Sequence, residues 1–436
     1  MTFDEAVKYL LGLGHETLAV KLDLASVRRL LFALSDPERS FPSVQIAGTN
    51  GKGSTAAMLD AVCRAARIKT GLYTSPHLVS VTERVGIGGR EISREEFARH
   101  ASAVRDAALA LRDESGALPS FFEQVTATAL CAFRDARVEL AILETGLGGR
   151  LDATTAARAS LVAVTPVALD HQEYLGETLA EIAAEKAAII RAGVEAIISP
   201  AQAPDALAVI LARCRETNVA PRFATGEISV EGTTADGRLR ATFRTDEDAY
   251  QDVTLALRGR HQLANASTAI ALAEALRARG FKQITRASVV EGLSTAEHPG
   301  RLELVATDPP LLLDGAHNPA GARALKDYLA EFVAQPVTMI FGAMRDKDLT
   351  GVAAALFPAA ENLILTPIDN PRAAAPDALR ASVHASHVPA KIFLANSSAD
   401  ALRLAREVTP RGGLVCVTGS LYLVGEVKRR LAGGAA

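Results

Sequence analysis

The chain has 436 residues, of which 49% are hydrophobic and 22% charged, as in ordinary globular proteins. Its formal net charge is -3 and its Lys and Arg residues are scattered, which argues against a nucleic-acid groove or a polybasic membrane patch. No apolar run in the sequence is long enough for a membrane span, and Asp4 and Glu5 stand where a signal peptide would carry positive charge. The length predicts two or three domains, and we expect a cytoplasmic monomer with reduced cysteines.

Short apolar segments alternate with helical patterns through the first 200 residues. The first 42 residues have helical spacing with a break at 35–37, and residues 54–66 have helical spacing again. Short buried strands are predicted at 43–47, 69–73, 140–144, 161–165 and 196–199. Strands that alternate with helices predict a parallel sheet with helices on both faces.

The pattern changes between residues 221 and 258, where apolar and polar residues alternate. Strands are predicted there at 227–231, 238–244 and 253–257, with a turn at 235–237. This alternation predicts a small antiparallel sheet with one face toward water. A helix is predicted to follow from Leu263 to Arg279.

Pro and Gly interrupt the pattern at 297–300, which makes this segment the predicted linker between domains. Beyond the linker, strands are predicted at 311–314, 337–341, 363–366, 392–395 and 414–418. We therefore predict an α/β protein with a large N-terminal domain at 1–296 and a smaller, Rossmann-like C-terminal domain at 297–436.

A glycine-rich segment between a predicted strand and a predicted helix carries the strongest local signal. Its glycines let backbone N–H groups surround phosphates, the helix N-terminus attracts anions, Lys52 can reach phosphate oxygens, and a hydroxyl can face Mg²⁺. The spacing differs from the common GxxxxGK[ST], and an ordinary glycine-rich turn is the alternative. The lysine with Ser and Thr just beyond it favours phosphate binding, and with it a P-loop-type ATPase domain. The residues assigned to ATP are Gly48, Thr49, Asn50, Gly51, Lys52, Gly53, Ser54 and Thr55.

Two polar residues lie where predicted strands end. Glu144 ends the strand at 140–144, and His171 follows the apolar run 161–167. Because ligands gather at the carboxyl edge of a parallel sheet, Glu144 is a candidate Mg²⁺ ligand, although a solvated strand end explains it equally well. A single histidine such as His171 is more often structural than a metal ligand.

Lys186 falls in phase with an apolar helical stripe that includes Ile182 and Ile189. A buried ammonium is costly, and a buried lysine tends to lose its charge. The neutral amine can then react with carbon dioxide to form a carbamate, an anion that can bind Mg²⁺. The commoner outcome is that the amine reaches water over the edge of the helix, and helical phase alone favours that alternative.

Three polar motifs follow in the second half of the chain. Asn265 can contact an adenine edge, Arg301 can hold phosphates, and Asp314 at a predicted strand end can accept a ribose hydroxyl. Each also has a simple structural explanation as a helix cap, a linker ion pair or a turn residue.

Together, the ordered motifs resemble those of the folylpolyglutamate synthase/dihydrofolate synthase family, within the Mur ligase superfamily. The resemblance runs from about residue 40 to the end of the chain. It rests on GTNGKGST (48–55), TSPHL (74–78), ETGLGGRLDAT (144–154), DHxxxLG (170–176), EK (185–186), HQxxNA (261–266), PGR (299–301), DGAHNP (314–319), DKD (346–348) and TGSLYLVGEV (418–427). Gln172 and Ala188 depart from the family pattern, and neither is a proposed ligand.

This resemblance implies an ATP-dependent carboxylate–amine ligase that joins L-glutamate to dihydropteroate, to folates or to both, through an acyl phosphate. The domain at 1–296 would bind ATP and the domain at 297–436 would be the glutamate ligase domain. ATP, two Mg²⁺ sites and a carbamate on Lys186 are implied, and no nucleic-acid or membrane partner is expected.

The resemblance also implies a role for particular residues. The implied catalytic residues are Lys52, Glu144, His171 and Lys186. The implied metal ligands are Ser54, Ser75, Glu144, His171 and Lys186. Further ATP contacts are implied at Asn265, Arg301 and Asp314. Folate-side residues are implied at Phe122, Glu123, Arg150, Leu151 and Asp152, and glutamate-side residues at His317 and Ser420.

Three other classes of protein share parts of this pattern. A cell-wall precursor ligase resembles this chain in its phosphate loop and carbamylated lysine, but carries a nucleotide-sugar domain ahead of the loop, and only 47 residues precede Gly48 here. A P-loop switch or kinase gives no reason for HQxxNA, PGR and DGAHNP. A nucleotide-binding module without activity gives no reason for Lys52, Glu144, His171 and Lys186.

Overall fold

The computed structural model describes residues 1–14, 24–115, 117–384 and 391–433. Within these ranges, eight strands form the first sheet: β1 (Ser43–Ala47), β2 (Thr70–Tyr73), β3 (Val85–Ile87), β4 (Arg90–Glu91), β5 (Leu140–Glu144), β6 (Leu161–Val164), β7 (Glu195–Ile198) and β8 (Pro221–Phe223). Their order across the sheet is β4-β3-β2-β5-β1-β6-β7-β8. The pairing is parallel from β2 to β8, and β3 and β4 add an antiparallel edge.

Helices cover both faces of this sheet. They are α1 (Phe3–Gly12), α2 (Ala25–Ala33), α3 (Lys52–Ala65), α4 (Arg94–Ser115), α5 (Phe121–Asp135), α6 (Gln172–Leu175), α7 (Leu179–Ala187), α8 (Pro204–Glu216), α9 (Gln262–Ala278) and α10 (Arg286–Thr295), with 3-10 turns at Pro37–Ser40, Val81–Arg84 and Ala153–Ala157. On β5, Ile142 packs into the core beneath α3 and α9, whereas Ala141 and Leu143 pack into the core beneath α4 and α5. Every residue of β1, β5 and β6 is therefore buried, which explains why these strands are mostly apolar on both faces.

The small antiparallel sheet consists of β9 (Glu227–Thr233), β10 (Leu239–Arg244) and β11 (Ala249–Thr254). The third strand was predicted at 253–257, which is wrong by about four residues. The apolar pattern misplaced it because Leu255 and Leu257 are buried beyond the end of the paired strand. The first apolar residues of this region form β8, which joins the large sheet instead.

The second half of the chain forms a third sheet from β12 (Glu303–Val305), β13 (Leu311–Leu313), β14 (Val337–Phe341), β15 (Asn362–Leu365), β16 (Lys391–Leu394) and β17 (Leu414–Thr418). The strand order is β12-β13-β17-β14-β15-β16, parallel except for β12. The helices around it are α11 (Pro319–Phe332), α12 (Leu349–Leu356), α13 (Pro376–His384), α14 (Ser398–Val408) and α15 (Leu421–Ala432), with a 3-10 turn at Phe357–Ala359. The predicted α/β class, with a large first sheet, a small antiparallel sheet and a second α/β sheet, is confirmed.

The region between the large and C-terminal sheets is short, because α10 ends at Thr295 and β12 begins at Glu303. The domain boundary between residues 296 and 297 stays a prediction. All four cysteines are free and buried, in keeping with the expected reduced thiols. None of the helices in the described ranges is both long and apolar enough to cross a lipid bilayer.

Close packing of α10 on α3 requires a glycine at position 292. A Cβ atom built on Gly292 would lie 2.4 Å from the Val62 backbone nitrogen and Cα, and backbone atoms cannot move aside cheaply. We expect Gly292→Ala to lower the free energy of unfolding by about 1–3 kcal/mol, measured by urea denaturation. The matched control is Gly232→Ala on β9, where the nearest atom to the new Cβ lies 3.8 Å away. Equal stability of the two variants would contradict this packing.

Candidate active site

The phosphate loop leads from β1 into α3, and its shape depends on glycine. Gly51 has a left-handed backbone with φ of 87° and caps the N-terminus of α3. A Cβ on Gly48 would lie 1.9 Å from Thr165 Oγ1, and a Cβ on Gly51 would lie 2.2 Å from Asn265 Oδ1. The loop is thus fitted between the end of β6 and α9, and the predicted ATP contact Asn265 lies directly against it.

Hydrogen bonds hold the loop in place and also engage Lys52, in the first turn of α3. Thr49 and Asn50 donate backbone N–H groups to the Pro166 carbonyl at 3.0 and 3.2 Å, which pins the loop to the segment after β6. Lys52 Nζ donates to the Thr49 carbonyl at 3.2 Å. Thr55 Oγ1 is buried and has no hydrogen-bond partner among the described residues. The Lys52 ammonium therefore lies against the loop backbone, whereas the Thr55 side chain is fully buried.

Glu144 reaches the same turn of α3 from the neighbouring strand. Its Oε2 accepts the Ser75 backbone N–H at 3.1 Å and lies 3.3 Å from the Cβ position of Gly53. Burial raises the pKa of Glu144, and the Lys52 charge opposes that rise. The structure therefore brings the predicted ligands Ser75 and Glu144 together beside the first turn of α3, which also carries Ser54.

Lys186 lies inside the protein, and its side chain does not reach water. The residue is 4% exposed, and Nζ donates to the Gly48 carbonyl at 2.9 Å. The alternative in which the amine extends over the helix edge into solvent is therefore wrong, because α7 packs its lysine under the phosphate loop. Burial, helped by the nearby Lys52 charge, lowers the pKa of Lys186 to about 7.

His171 adopts a left-handed backbone with φ of 50° ahead of α6. It does not directly follow a strand, since β6 ends at Val164. Its Nδ1 is buried without a hydrogen-bond partner in the described chain, and its Nε2 lies 3.4 Å from Lys347 Nζ. Burial lowers the pKa of His171 to about 3, so the neutral ring offers a lone pair.

Of the other predicted ATP residues, Arg301 lies in the segment between α10 and β12, and Asp314 directly follows β13. Asp314 accepts the backbone N–H groups of Leu302 and Ala316, both at 2.9 Å, and so ties the linker to the end of β13. Burial raises the pKa of Asp314, and the nearby Arg301 charge opposes that rise. Arg301 is also close enough to Lys52 and Glu144 to act on their pKa values.

His298 lies in the segment between α10 and β12, and the sequence-based predictions gave it no role. Its Nε2 lies 2.6 Å from the Cβ position of Gly53, so the imidazole covers the first turn of α3. Burial lowers the pKa of His298 to about 3. Its place three residues before Arg301, which was already assigned to ATP, was the available signal.

A cavity of about 270 Å³ opens between the two halves of the chain. All the residues predicted for folate and glutamate line it: Phe122, Glu123, Arg150, Leu151 and Asp152 from the first half, and His317 and Ser420 from the second. Ser75 and His171 also line it, so the cavity is continuous with the metal-ligand candidates. Lys347 and Arg372 line the C-terminal side and were missed as site residues, although Lys347 lies within the DKD motif.

Several of these polar side chains also hold the cavity wall in place. Asp152 accepts N–H groups from Gly146 at 2.8 Å and Leu147 at 2.9 Å, which fixes the loop after β5. Glu123 caps α5 by accepting the Ser120 backbone N–H at 2.7 Å. Arg150 Nε lies 2.8 Å from Glu185 Oε1. These residues therefore shape the pocket as well as line it.

The two C-terminal residues predicted for glutamate also lie at helix and loop ends. Ser420 caps α15, and its Oγ accepts the Tyr422 backbone N–H at 3.1 Å. His317 Nδ1 lies 2.7 Å from the Gly315 carbonyl, which leaves Nε2 facing Asp170 at 3.4 Å.

A phosphate loop on one α/β domain, a second α/β domain and a cavity between them define the Mur ligase class. The model of the Mur ligase middle domain matches residues 46–273, and that of the Mur ligase glutamate ligase domain matches residues 300–421.

The dihydrofolate synthase/folylpolyglutamate synthase of Bacillus subtilis is 33% identical over 96% of this chain and 97% of that protein. The solved Mycobacterium tuberculosis folylpolyglutamate synthase complexed with ADP superimposes with a TM-score of 0.91 and 31% identity, covering 98% of each chain. A Yersinia pestis bifunctional folylpolyglutamate synthase/dihydrofolate synthase, complexed with AMPPNP and Mn ion, has a TM-score of 0.84 and 28% identity, covering 99% of this chain and 98% of that one. The chain belongs to the folylpolyglutamate synthase/dihydrofolate synthase family.

Some relatives are longer. The probable bifunctional folylpolyglutamate synthase/dihydropteroate synthase of Halobacterium salinarum is 37% identical over 99% of this chain, which spans 52% of that protein. The corresponding protein of Haloferax volcanii is 36% identical over 98% of this chain, which spans 50% of that protein. The chain therefore spans about half the length of these two relatives.

Proposed function

We propose that the protein is an ATP-dependent ligase that joins L-glutamate to a carboxylate of dihydropteroate or folate, with release of ADP and phosphate. The observation that carries this proposal is the junction between the cavity and the phosphate loop. Ser75 lines the cavity and donates its N–H to Glu144, which lies against the first turn of α3. A carboxylate bound in the cavity can therefore approach the terminal phosphate of ATP held by the loop.

This junction suits a reaction in two steps. The substrate carboxylate attacks the γ-phosphorus and ADP leaves, which forms an acyl phosphate; the amine of glutamate then attacks the acyl carbon and phosphate leaves. Lys52 and the N–H groups of the loop stabilise negative charge on the phosphoryl group. Walls from both domains keep water from the labile acyl phosphate. Two relatives solved with ADP, or with AMPPNP and Mn, support nucleotide and divalent metal binding by this site.

The residues present fit divalent metal ions. Buried Glu144 and Ser54 would hold one ion, and the unpaired Nδ1 of neutral His171, together with Lys186 once it is carbamylated, would hold a second. Among the described residues no cluster of three His, Cys, Asp or Glu side chains is arranged for a metal, so phosphate and water oxygens would complete each shell. A bound Mg²⁺ would supply positive charge to the transferring phosphoryl group.

We expect Glu144→Ala and His171→Ala each to raise the Mg²⁺ concentration needed for half-maximal activity by about tenfold or more, or to abolish turnover. The reason is that each variant loses one of the few protein ligands at the proposed metal sites. Mg²⁺ titration of phosphate release measures the effect, with exposed Glu361→Ala as the control. Titration curves that coincide with the unaltered protein for both variants would remove the metal assignment.

The proposed function is tested by phosphate release with ATP, L-glutamate and either dihydropteroate or tetrahydrofolate. Release that requires both glutamate and a pterin substrate is expected, and the comparison of the two pterins identifies the acceptor. Release without either co-substrate would point to a simple ATPase, and no release under any combination would overturn the proposal.

The remaining expectations concern partners and location. We infer a monomer in the cytoplasm that acts on small molecules, in keeping with the net charge of -3 and scattered basic residues. Size-exclusion chromatography with light scattering tests the monomer.

A further inference from the structure

At the proposed active site, the carboxylate of Asp170 contacts three side chains from the other half of the protein. Asp170 follows β6, and its side chain is only 6% exposed. Lys347 Nζ donates to its Oδ1 at 2.6 Å, and Asn318 Nδ2 donates to its Oδ2 at 3.1 Å. His317 Nε2 lies 3.4 Å from the same Oδ2. All three partners belong to the C-terminal half, whereas Asp170 belongs to the first.

Each partner of Asp170 also touches an element of the proposed site. Asn318 Nδ2 makes a second hydrogen bond, of 3.1 Å, to Asn50 Oδ1 in the phosphate loop. Lys347 Nζ lies 3.4 Å from His171 Nε2, and Lys347 and His317 both line the cavity. Asp170 therefore joins the phosphate loop, a candidate metal ligand and the C-terminal wall of the cavity.

The ion pair between Lys347 and Asp170 is more deeply buried than another ion pair between the two halves. The side chains of Lys347 and Asp170 are 8% and 6% exposed, so removal of one partner leaves an uncompensated buried charge. A second pair between the two halves, Arg260 with Glu331, is 54% and 33% exposed and far less consequential.

We propose that Asp170 is a positioning residue that assembles the active site across the two domains. By holding Lys347, His317 and Asn318, it places the C-terminal wall of the cavity against the phosphate loop. This inference rests on the proposed ligase function, because the groups placed are those that would meet glutamate and the acyl phosphate. Asp170 itself touches other protein groups and not the reacting atoms.

The test uses Asp170→Asn, which keeps the size of the side chain but loses the charge that pairs with Lys347. We expect the KM for glutamate to rise at least about tenfold and kcat to fall, with the Kd for ADP within about threefold of the unaltered protein. Lys347→Gln removes the same ion pair from the other domain. Glu331→Gln is the matched control, because it breaks the exposed pair between domains and should leave both constants unchanged.

A second readout does not depend on turnover. Spin labels on Lys282→Cys and Lys326→Cys, at exposed positions in the two halves, report the distance between domains, since the four native cysteines are buried. Asp170→Asn and Lys347→Gln should both broaden the distance distribution with AMPPNP bound, and Glu331→Gln should not.

Two results would overturn the proposal for Asp170. One is an Asp170→Asn protein with unchanged distances and unchanged glutamate KM, even if kcat falls, since Asp170 would then act only locally on His171. The other is an Asp170→Asn protein whose KM for glutamate and kcat are both unchanged, whatever the distances between the labels. If the unaltered protein shows no glutamate-dependent phosphate release, the proposed function fails, and the distance measurement still decides the role of Asp170.

Discussion

Replacement of Lys186 by alanine should reduce ligase turnover by at least about a thousandfold while the protein remains folded. The Lys186 amine lies under the phosphate loop, where Nζ contacts the Gly48 carbonyl at 2.9 Å. An amine in this position, once carbamylated, would present an anion to a metal beside the phosphates. A buried ammonium is itself costly, so its loss should leave the free energy of unfolding nearly unchanged. Phosphate release and urea denaturation measure the two effects, with exposed Lys326→Ala as the control.

Two companion experiments separate a carbamate from a simple positive charge. Lys186→Arg keeps the charge and cannot form a carbamate, so it should be as inactive as Lys186→Ala. Acetate or bicarbonate added to Lys186→Ala can supply the missing carboxylate oxygen ligand and should restore part of the activity. An active Lys186→Arg protein, together with a crystal structure at neutral pH that shows a bare amine, would show that no carbamate is needed.

The pH dependence of carbamate formation follows from the lowered pKa of Lys186. Carbon dioxide reacts with the neutral amine only, and a pKa of about 7 makes half of the amine neutral near pH 7. An exposed lysine, with a pKa of about 10.4, would be almost fully protonated there. After depletion of carbon dioxide, bicarbonate should therefore restore activity better at pH 8 than at pH 6. The same shift means that the cost of burying this group falls, and the free energy of unfolding rises, as the pH rises from about 7 to 10, because only the unfolded chain still binds the proton there.

Local sequence patterns predict the position of the glycine-rich loop between β1 and α3 and the ends of the parallel strands of the large sheet. Continuous apolar strands indicate burial on both faces, and the glycines between β1 and α3 mark a loop that no larger residue can form at Gly48 and Gly51. Helical phase places Lys186 on an apolar stripe, but it cannot tell whether the amine reaches water or meets the Gly48 carbonyl. That distinction depends on a contact between residues 138 positions apart in the chain.

The contacts that join the two halves were not predictable from local pattern. Lys347 pairs with Asp170, which lies 177 positions away in the sequence. His298, from the segment between α10 and β12, covers Gly53 in the first turn of α3. Nothing in the neighbourhood of either residue in the sequence signals its partner. The motif DKD marked Lys347 only as part of a family resemblance, and its role in the cavity wall became visible from the fold.

Lys52→Ala should abolish ATP-driven turnover, with a fall in kcat of at least about a thousandfold. Among the described residues, Lys52 Nζ has only the Thr49 carbonyl, at 3.2 Å, as its hydrogen-bond partner, and its side chain belongs to none of the hydrophobic cores. Its charge is therefore available to phosphate oxygens, and the loop keeps its shape through Gly48 and Gly51. Phosphate release should disappear, whereas the urea midpoint should match that of exposed Lys282→Ala. The Kd for AMPPNP should rise more than the Kd for ADP, since the lysine reaches toward the terminal phosphates. Near-normal phosphate release by a folded Lys52→Ala protein would refute the assignment of this loop to ATP.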